Sequence, residues 1–165
     1  MKAIFHRTSI RKYTAEPLTE EEINQLLRAA MAAPSACNQQ PWEYYVVTDP
    51  AMVEKLASAT PFSKPCLGAA AVLVPCCRKN GLIAPPCAPC DMSASIENLL
   101  LEADELGLGA CWMALYPTRT RTENVRTLLG IPEELEPFAL VSCGHPGEEK
   151  QQQDRFDESR VHWVR

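Results

Sequence analysis

DMSASIENLLLEADELGLG, Asp91–Gly109, is the stretch that decides the fold. Ile96, Leu99, Leu100, Ala103 and Leu106 recur at helical spacing and define one face, and Gly107 supplies a left-handed stop. Leu101 falls off that stripe, so a second face is partly apolar as well. A surface helix needs one apolar stripe only. This helix is therefore predicted to be central and covered on more than one side.

Working outward from it, PLTEEEINQLLRAAMAAPS opens with a capping box. Thr19 can accept from the backbone three residues on and Glu22 can reach back. Ile23, Leu26, Leu27, Ala30 and Met31 form one helix face, ended at Pro34. WEYYVVTD reads as a strand, Asp49 caps a short helix through Leu56, and AAAVLVP suits a buried central strand. Cys77 to Asp91, with Gly81, Pro85, Pro86 and Pro89, is expected to be an irregular loop. Beyond the central helix, ACWMALY is a strand, RTENVRTLLG a helix closing at Gly130, and PFALVSCGHP the last strand. Interleaved helices and strands around one apolar helix predict a layered α+β fold. At 165 residues the chain fits a single domain spanning 1–165. The polar tail from about 147 to 165 keeps Phe156, Val161, His162 and Trp163, which a disordered tail does not need. It is expected to pack across another subunit.

Acidic residues outnumber basic ones 21 to 16, for a net charge of −5, which argues against a nucleic-acid binder. No apolar run is long enough to span a bilayer, so no membrane partner is expected, and no signal sequence is evident. The expected compartment is the cytoplasm. Eight cysteines in a reducing cytosol do not imply a disulfide framework, and several sit in apolar runs as small hydrophobes.

Three polar islands stand out. In HRTSIRKY, Arg7, Ser9 and Arg11 point to one side of an extended chain, and two guanidinium forks with a hydroxyl suit a discrete anion such as a phosphate ester. In APSACNQQPW, Ser35, Asn38, Gln39 and Gln40 crowd between two prolines. Composition alone reads this as a polar turn; the sharper reading is recognition of a planar heterocycle's edge by amides. The third island is Asp154, Arg155 and Asp157 in the tail, which composition reads as a surface loop.

RTSIRKY, APSACNQQPWEYYVVTD, ASIENLLLEADELGLGACWMAL and GHPGEEK with DRFDESRVHW, in that order, resemble the nitroreductase family of flavoproteins over nearly the whole chain. The resemblance implies an α+β nitroreductase-like fold with a mixed or antiparallel central sheet, built as an intertwined homodimer with non-covalent FMN at the interface. It implies that Arg7, Thr8, Ser9 and Arg11 meet the phosphate and the pyrimidine edge. Pro34, Ser35, Ala36 and Asn38 would come from the partner subunit. The backbone of Trp112, Met113, Ala114 and Leu115 would lie near flavin N5, and Arg155 would add a second phosphate contact. NAD(P)H is then the electron donor and a small electron-poor molecule, a nitroaromatic or quinone, the acceptor, in ping-pong order. No catalytic side chain is required, and His6, His145 and His162 are given no role; no metal is expected.

The segment between the AVLVP strand and the central helix departs from the family, which leaves the pocket wall and substrate choice open. Cys87 and Cys90 lie in it. They are incidental thiols, a redox-active or regulatory dithiol, or metal ligands. A flavin-binding or redox-sensing protein using this pair without efficient turnover is the alternative function. Reductive dehalogenation or heterocycle oxidation on the same scaffold also stays open.

Overall fold

The computed structural model describes residues 3–165; Met1 and Lys2 of the predicted domain lie outside the described residues. Five helices, α1 (Ala3–His6), α2 (Glu20–Met31), α3 (Pro50–Ala57), α4 (Ala88–Glu105) and α5 (Arg119–Leu129), alternate with five strands. These are β1 (Trp42–Val47), β2 (Ala71–Arg78), β3 (Gly109–Ala114), β4 (Leu135–Pro137) and β5 (Ala139–Gly144). The sheet runs β1-β2-β5-β3, with β4 also on β2, and every pairing is antiparallel.

Strand alternation divides the core into two layers. Leu73, Ala139, Val141 and Ala110 face α2 and α4, where they meet Leu26, Ala30, Met92, Ile96 and Leu99. Val72, Val74, Leu140, Cys111 and Met113 point to the other side and pack with Val53, Leu56 and Val125 of α3 and α5. A sheet covered on both faces explains the unbroken apolar run of β2. The central helix is confirmed: α4 is packed between α2 and the sheet, burying Met92, Ile96, Leu99, Leu100 and Ala103. Polar ties fix the stack. Ser95 Oγ donates to Ala30 O at 2.7 Å and pairs with the Tyr44 hydroxyl at 2.7 Å. The capping box of α2 forms as read, with Thr19 Oγ1 accepting from Glu22 N–H and the Glu22 carboxylate accepting from Thr19 N–H.

Two expectations are corrected. The segment from Cys77 to Asp91 is not one loop, since β2 continues to Arg78 and α4 begins at Ala88. Pro89 falls in the first turn of α4, where a missing N–H costs no intrahelical bond. The last strand is also two strands. Pro75 in β2 has no N–H to continue the ladder, and opposite it the chain breaks at Phe138 between β4 and β5. Phe138 N–H donates to Pro75 O, while Phe138 O accepts from both Leu115 and Tyr116 N–H.

Candidate functional site

The N-terminal island is fastened to the start of β3. Ile10 N–H donates to Ala110 O, Thr14 N–H to His145 O, and Gly147 N–H to Lys12 O. The Tyr13 hydroxyl donates to Ile10 O and lies 2.7 Å from Ser142 Oγ. Close approach needs Gly109: a Cβ there would stand 2.6 Å from Ile10 Cγ2 and 2.8 Å from its Cβ. Gly109→Ala should therefore lift this segment, costing about 1–3 kcal/mol. Thermal denaturation checks the loss, and an unchanged midpoint would contradict the packing.

Within this segment the charges are arranged around one atom. Arg11 Nη1 donates to Ser9 O at 3.2 Å and Lys150 Nζ donates to the same oxygen at 3.3 Å. Glu148 Oε1 accepts from Lys150 Nζ at 2.6 Å and from Arg11 N–H at 2.7 Å. Glu148 thus offsets one of two converging cations. Among the described residues the Arg11 guanidinium has no carboxylate partner. Arg7 is held differently, its Nε 3.3 Å from Glu97 Oε1 on α4, with Thr8 half-buried beside it. The hydrogen bond from Lys150, then that from Arg11 N–H, holds the Glu148 carboxyl below the usual carboxylate range. A lowered carboxyl stabilises the fold above its unfolded value and loses that contribution as pH falls through its folded one. Exchange protection of the Arg11 amide should therefore hold at neutral pH and fall in acid. Protection independent of pH would contradict the Glu148 anchor.

The second island, Pro34–Gln40, is anchored elsewhere. Asp91, buried at the start of α4, accepts from Ala36 N–H at 2.9 Å and from Gln39 Nε2 at 2.6 Å. The Gln39 amide also pairs both ways with the Ala84 backbone, and Arg78 Nη2 donates to Gln39 O and Gln40 O. Ser35 Oγ accepts from Gln40 N–H. These ties hold Cys37, Asn38 and Gln40 at φ of 52°, 53° and 43°, a left-handed conformation that non-glycine residues rarely adopt. Strained backbone persists only where its surroundings over-determine it, and it concentrates at functional sites.

The Ser9 end of the first island and the loop hang from opposite ends of β2, whereas Arg7 and the loop both attach to α4, at Glu97 and Asp91. Ser9 bridges Ala110, which pairs with Cys143 and through it with Ala71, the first residue of β2. The loop hangs on Arg78, the last residue of β2. Seven steps of about 3.3 Å put these ends about 23 Å apart. β3 runs between them, with Trp112 opposite Val141 and Ala114 opposite Ala139. Met113 and Leu115 are buried and Ala114 is exposed. The Trp112 indole N–H is buried with no partner, the one such side-chain atom among the described residues. Arg155 sits on the exposed tail, away from any described hydrogen bond or ion pair. Phe156, Trp163 and Val164 on that tail are also exposed. Sequence reasoning missed Lys150, Glu148, Arg78 and Asp91. Lys150 and Glu148 lie within GHPGEEK and Asp91 opens DMSASIENLLLEADELGLG, but nothing local marks the partners they hold.

An antiparallel sheet between two helical layers, with a cationic segment at one end and a clamped polar loop at the other, is the nitroreductase fold. The nitroreductase family profile matches residues 4–61 and 63–145, and the chain belongs to that family. It is 40% identical over 166 residues to a protein of Archaeoglobus fulgidus named as an NADH dehydrogenase/NAD(P)H nitroreductase, covering 98% of this chain and 95% of that one. A crystal structure of a protein so named from Bacteroides thetaiotaomicron superposes with a TM-score of 0.93 at 34% identity, over 98% of this chain and 95% of the other. An FMN-dependent nitroreductase from Clostridium difficile superposes with a TM-score of 0.89 at 26% identity, over 99% and 98%.

Proposed function

We propose that the chain is an FMN-dependent NAD(P)H oxidoreductase whose site is completed by a second copy of itself. The observation that supports this is that the Ser9–Arg11 end of the first island and the Pro34–Asn38 loop hang from opposite ends of β2. In a two-fold dimer each surface is used twice, so the Pro34–Asn38 loop of one copy can meet the Arg7–Arg11 segment of the other.

The donor set suits the cofactor. Arg11 and Lys150, converging on Ser9 O with only Glu148 to offset them, provide a site for a phosphate dianion, and Arg7 and Ser9 stand next to them. The exposed backbone at Ala114, flanked by Trp112, Met113 and Leu115, offers a surface against which a planar ring can lie. Ser35, Ala36 and Asn38, held by the Asp91 and Arg78 ties, would border the ring edge, with the Ser35 hydroxyl and the Asn38 side-chain amide as its polar groups. Arg155 reaches the phosphate if the tail crosses the partner, where Phe156 and Trp163 would also be covered. Bound FMN supplies hydride acceptance at N5 from NAD(P)H and its return to an electron-poor acceptor such as a nitroaromatic or quinone, both substrates using one face in turn. The protein's own part is to orient the ring, exclude water from it and bind its phosphate; no His, Cys or Asp is asked to move a proton.

Purified protein should carry a yellow chromophore released by denaturation as FMN. It should bleach anaerobically on adding NADH or NADPH and recover its colour with a quinone or nitro compound. Colourless protein that takes up no added FMN would overturn the proposal. Flavin that binds but is never reduced would favour a sensing role instead.

A further inference from the structure

We infer that Cys87 and Cys90 form a reversible intramolecular disulfide across the first turn of α4, and that this bond loosens the Pro34–Gln40 loop. The loosening of flavin binding rests on the proposed function; the disulfide itself does not.

Thiol exposure singles the pair out. Cys66, Cys76, Cys111 and Cys143 are buried and Cys77 is half-buried, whereas Cys37, Cys87 and Cys90 are exposed. Burial pushes the Cys66, Cys76 and Cys143 thiols up to about 12, which keeps them protonated and unreactive. The three exposed thiols all sit on the two segments that Asp91 joins, the loop and the start of α4.

Geometry permits the bond. Cys87 is the N-cap of α4, with φ −85° and ψ −14°, and Cys90 lies three residues on in the helix. Three helical steps put the Cα atoms about 5 Å apart, inside the window of roughly 4.4–6.8 Å that a disulfide requires. Among the described residues no group of three His, Cys, Asp or Glu is placed to hold a metal, so this pair forms no such group with a neighbour.

The bond also has a consequence. Helical neighbours at this spacing have Cβ atoms about 5–6 Å apart, whereas a disulfide draws them to about 3.8 Å. The first turn must contract by roughly 1.5–2 Å. Pro85, Pro86 and Pro89 have fixed φ and resist the change. Asp91, the residue after Cys90, is left to take it up. Its bonds to Ala36 N–H and Gln39 Nε2, at 2.9 and 2.6 Å, lengthen and weaken as the turn draws in. Cys37, Asn38 and Gln40 then lose part of what holds them left-handed.

The chemistry is thiol–disulfide exchange with a low-molecular-weight disulfide. One cysteine thiolate attacks a sulfur of the oxidant, breaking its S–S bond and releasing one thiol. The second cysteine thiolate attacks the mixed disulfide and releases the other. Two electrons pass from the protein to the oxidant, and the two protons leave with the released thiols.

The test treats FMN-loaded and FMN-free protein, together with the Cys87→Ser and Cys37→Ser variants, with graded mixtures of reduced and oxidised glutathione. Disulfides are mapped by mass spectrometry after alkylation, and FMN affinity is measured by fluorescence in parallel. The expected result is one bond linking Cys87 to Cys90, reversed by reduced glutathione, with FMN held about tenfold more weakly in the oxidised form. Cys37→Ser should still form the Cys87–Cys90 bond, and Cys87→Ser should hold FMN with the same affinity at every ratio. A bond through Cys37, stable mixed disulfides only, or thiols that stay alkylatable throughout would overturn the pairing. A Cys87–Cys90 bond that leaves FMN affinity unchanged would overturn its link to the loop. Protein that forms the bond but binds no FMN even when reduced would remove the proposed function and leave the disulfide standing.

Discussion

Replacing Arg11 and Lys150 together by alanine should weaken FMN binding by about 100-fold or more, with little change in thermal stability. A hydrogen bond to a charged group contributes about 1.5–3 kcal/mol, or roughly ten- to a hundredfold in affinity. At the lower figure for each cation, roughly tenfold, the two contacts together amount to about 100-fold. Arg11 is exposed and Lys150 only half-buried, and their protein contacts are to Ser9 O and Glu148. The fold therefore loses little when they go. Equilibrium dialysis with FMN gives the affinity and calorimetry the midpoint. Undiminished affinity in a folded double variant would remove the phosphate site from this corner.

Asp91→Ala should cost about 2–5 kcal/mol, because it leaves Ala36 N–H and Gln39 Nε2 facing an empty acceptor position in a buried setting. In a domain of this size that lowers the melting temperature by about 5–15 °C. Asp91→Asn keeps one carbonyl acceptor but turns an NH2 group toward a donor, so its loss should be intermediate. Flavin retention should fall with stability in both, since the loop loses its conformation before the sheet does. A midpoint within about 2 °C of wild type for Asp91→Ala would mean that Arg78 and Ala84 hold the loop without it.

Much of this architecture could be read from local patterns. The capping box at Thr19 and Glu22, the apolar stripe of α4 and the run of β2 each state their element within a few residues. The misreadings have local causes as well. Three prolines before Asp91 signal a loop, yet a helix tolerates proline in its first turn, so α4 begins earlier than composition implies. The break at Phe138 is set by Pro75, more than sixty positions away, and no window around Phe138 contains it. The one-turn helix α1 is too short to carry a periodicity.

The site divides the same way. Its clustered arginines and its amide-rich loop are visible as composition, because their chemistry lies in neighbouring residues. What holds them is not. Asp91 reaches residues 52 and 55 positions earlier, Arg78 reaches back 38 and 39, and Lys150 meets Ser9 across 141. Such partners are assembled by the sheet order alone. Neither does the sequence reveal that the Ser9 end of the first island and the loop hang from opposite ends of β2.

The proposed two-copy site can be tested directly by complementation. One tagged chain carries Arg11→Ala with Lys150→Ala, and a second, differently tagged chain carries Ser35→Ala with Asn38→Ala. Each is coexpressed with the other, and the mixed dimer is purified through both tags. If the site joins the Arg7–Arg11 segment of one copy to the Pro34–Asn38 loop of the other, the mixed dimer has one intact site and one doubly damaged site. It should then hold one FMN per two chains, while either parent homodimer holds little. A mixed species that binds no FMN, or chains that never pair, would contradict a site built from two copies.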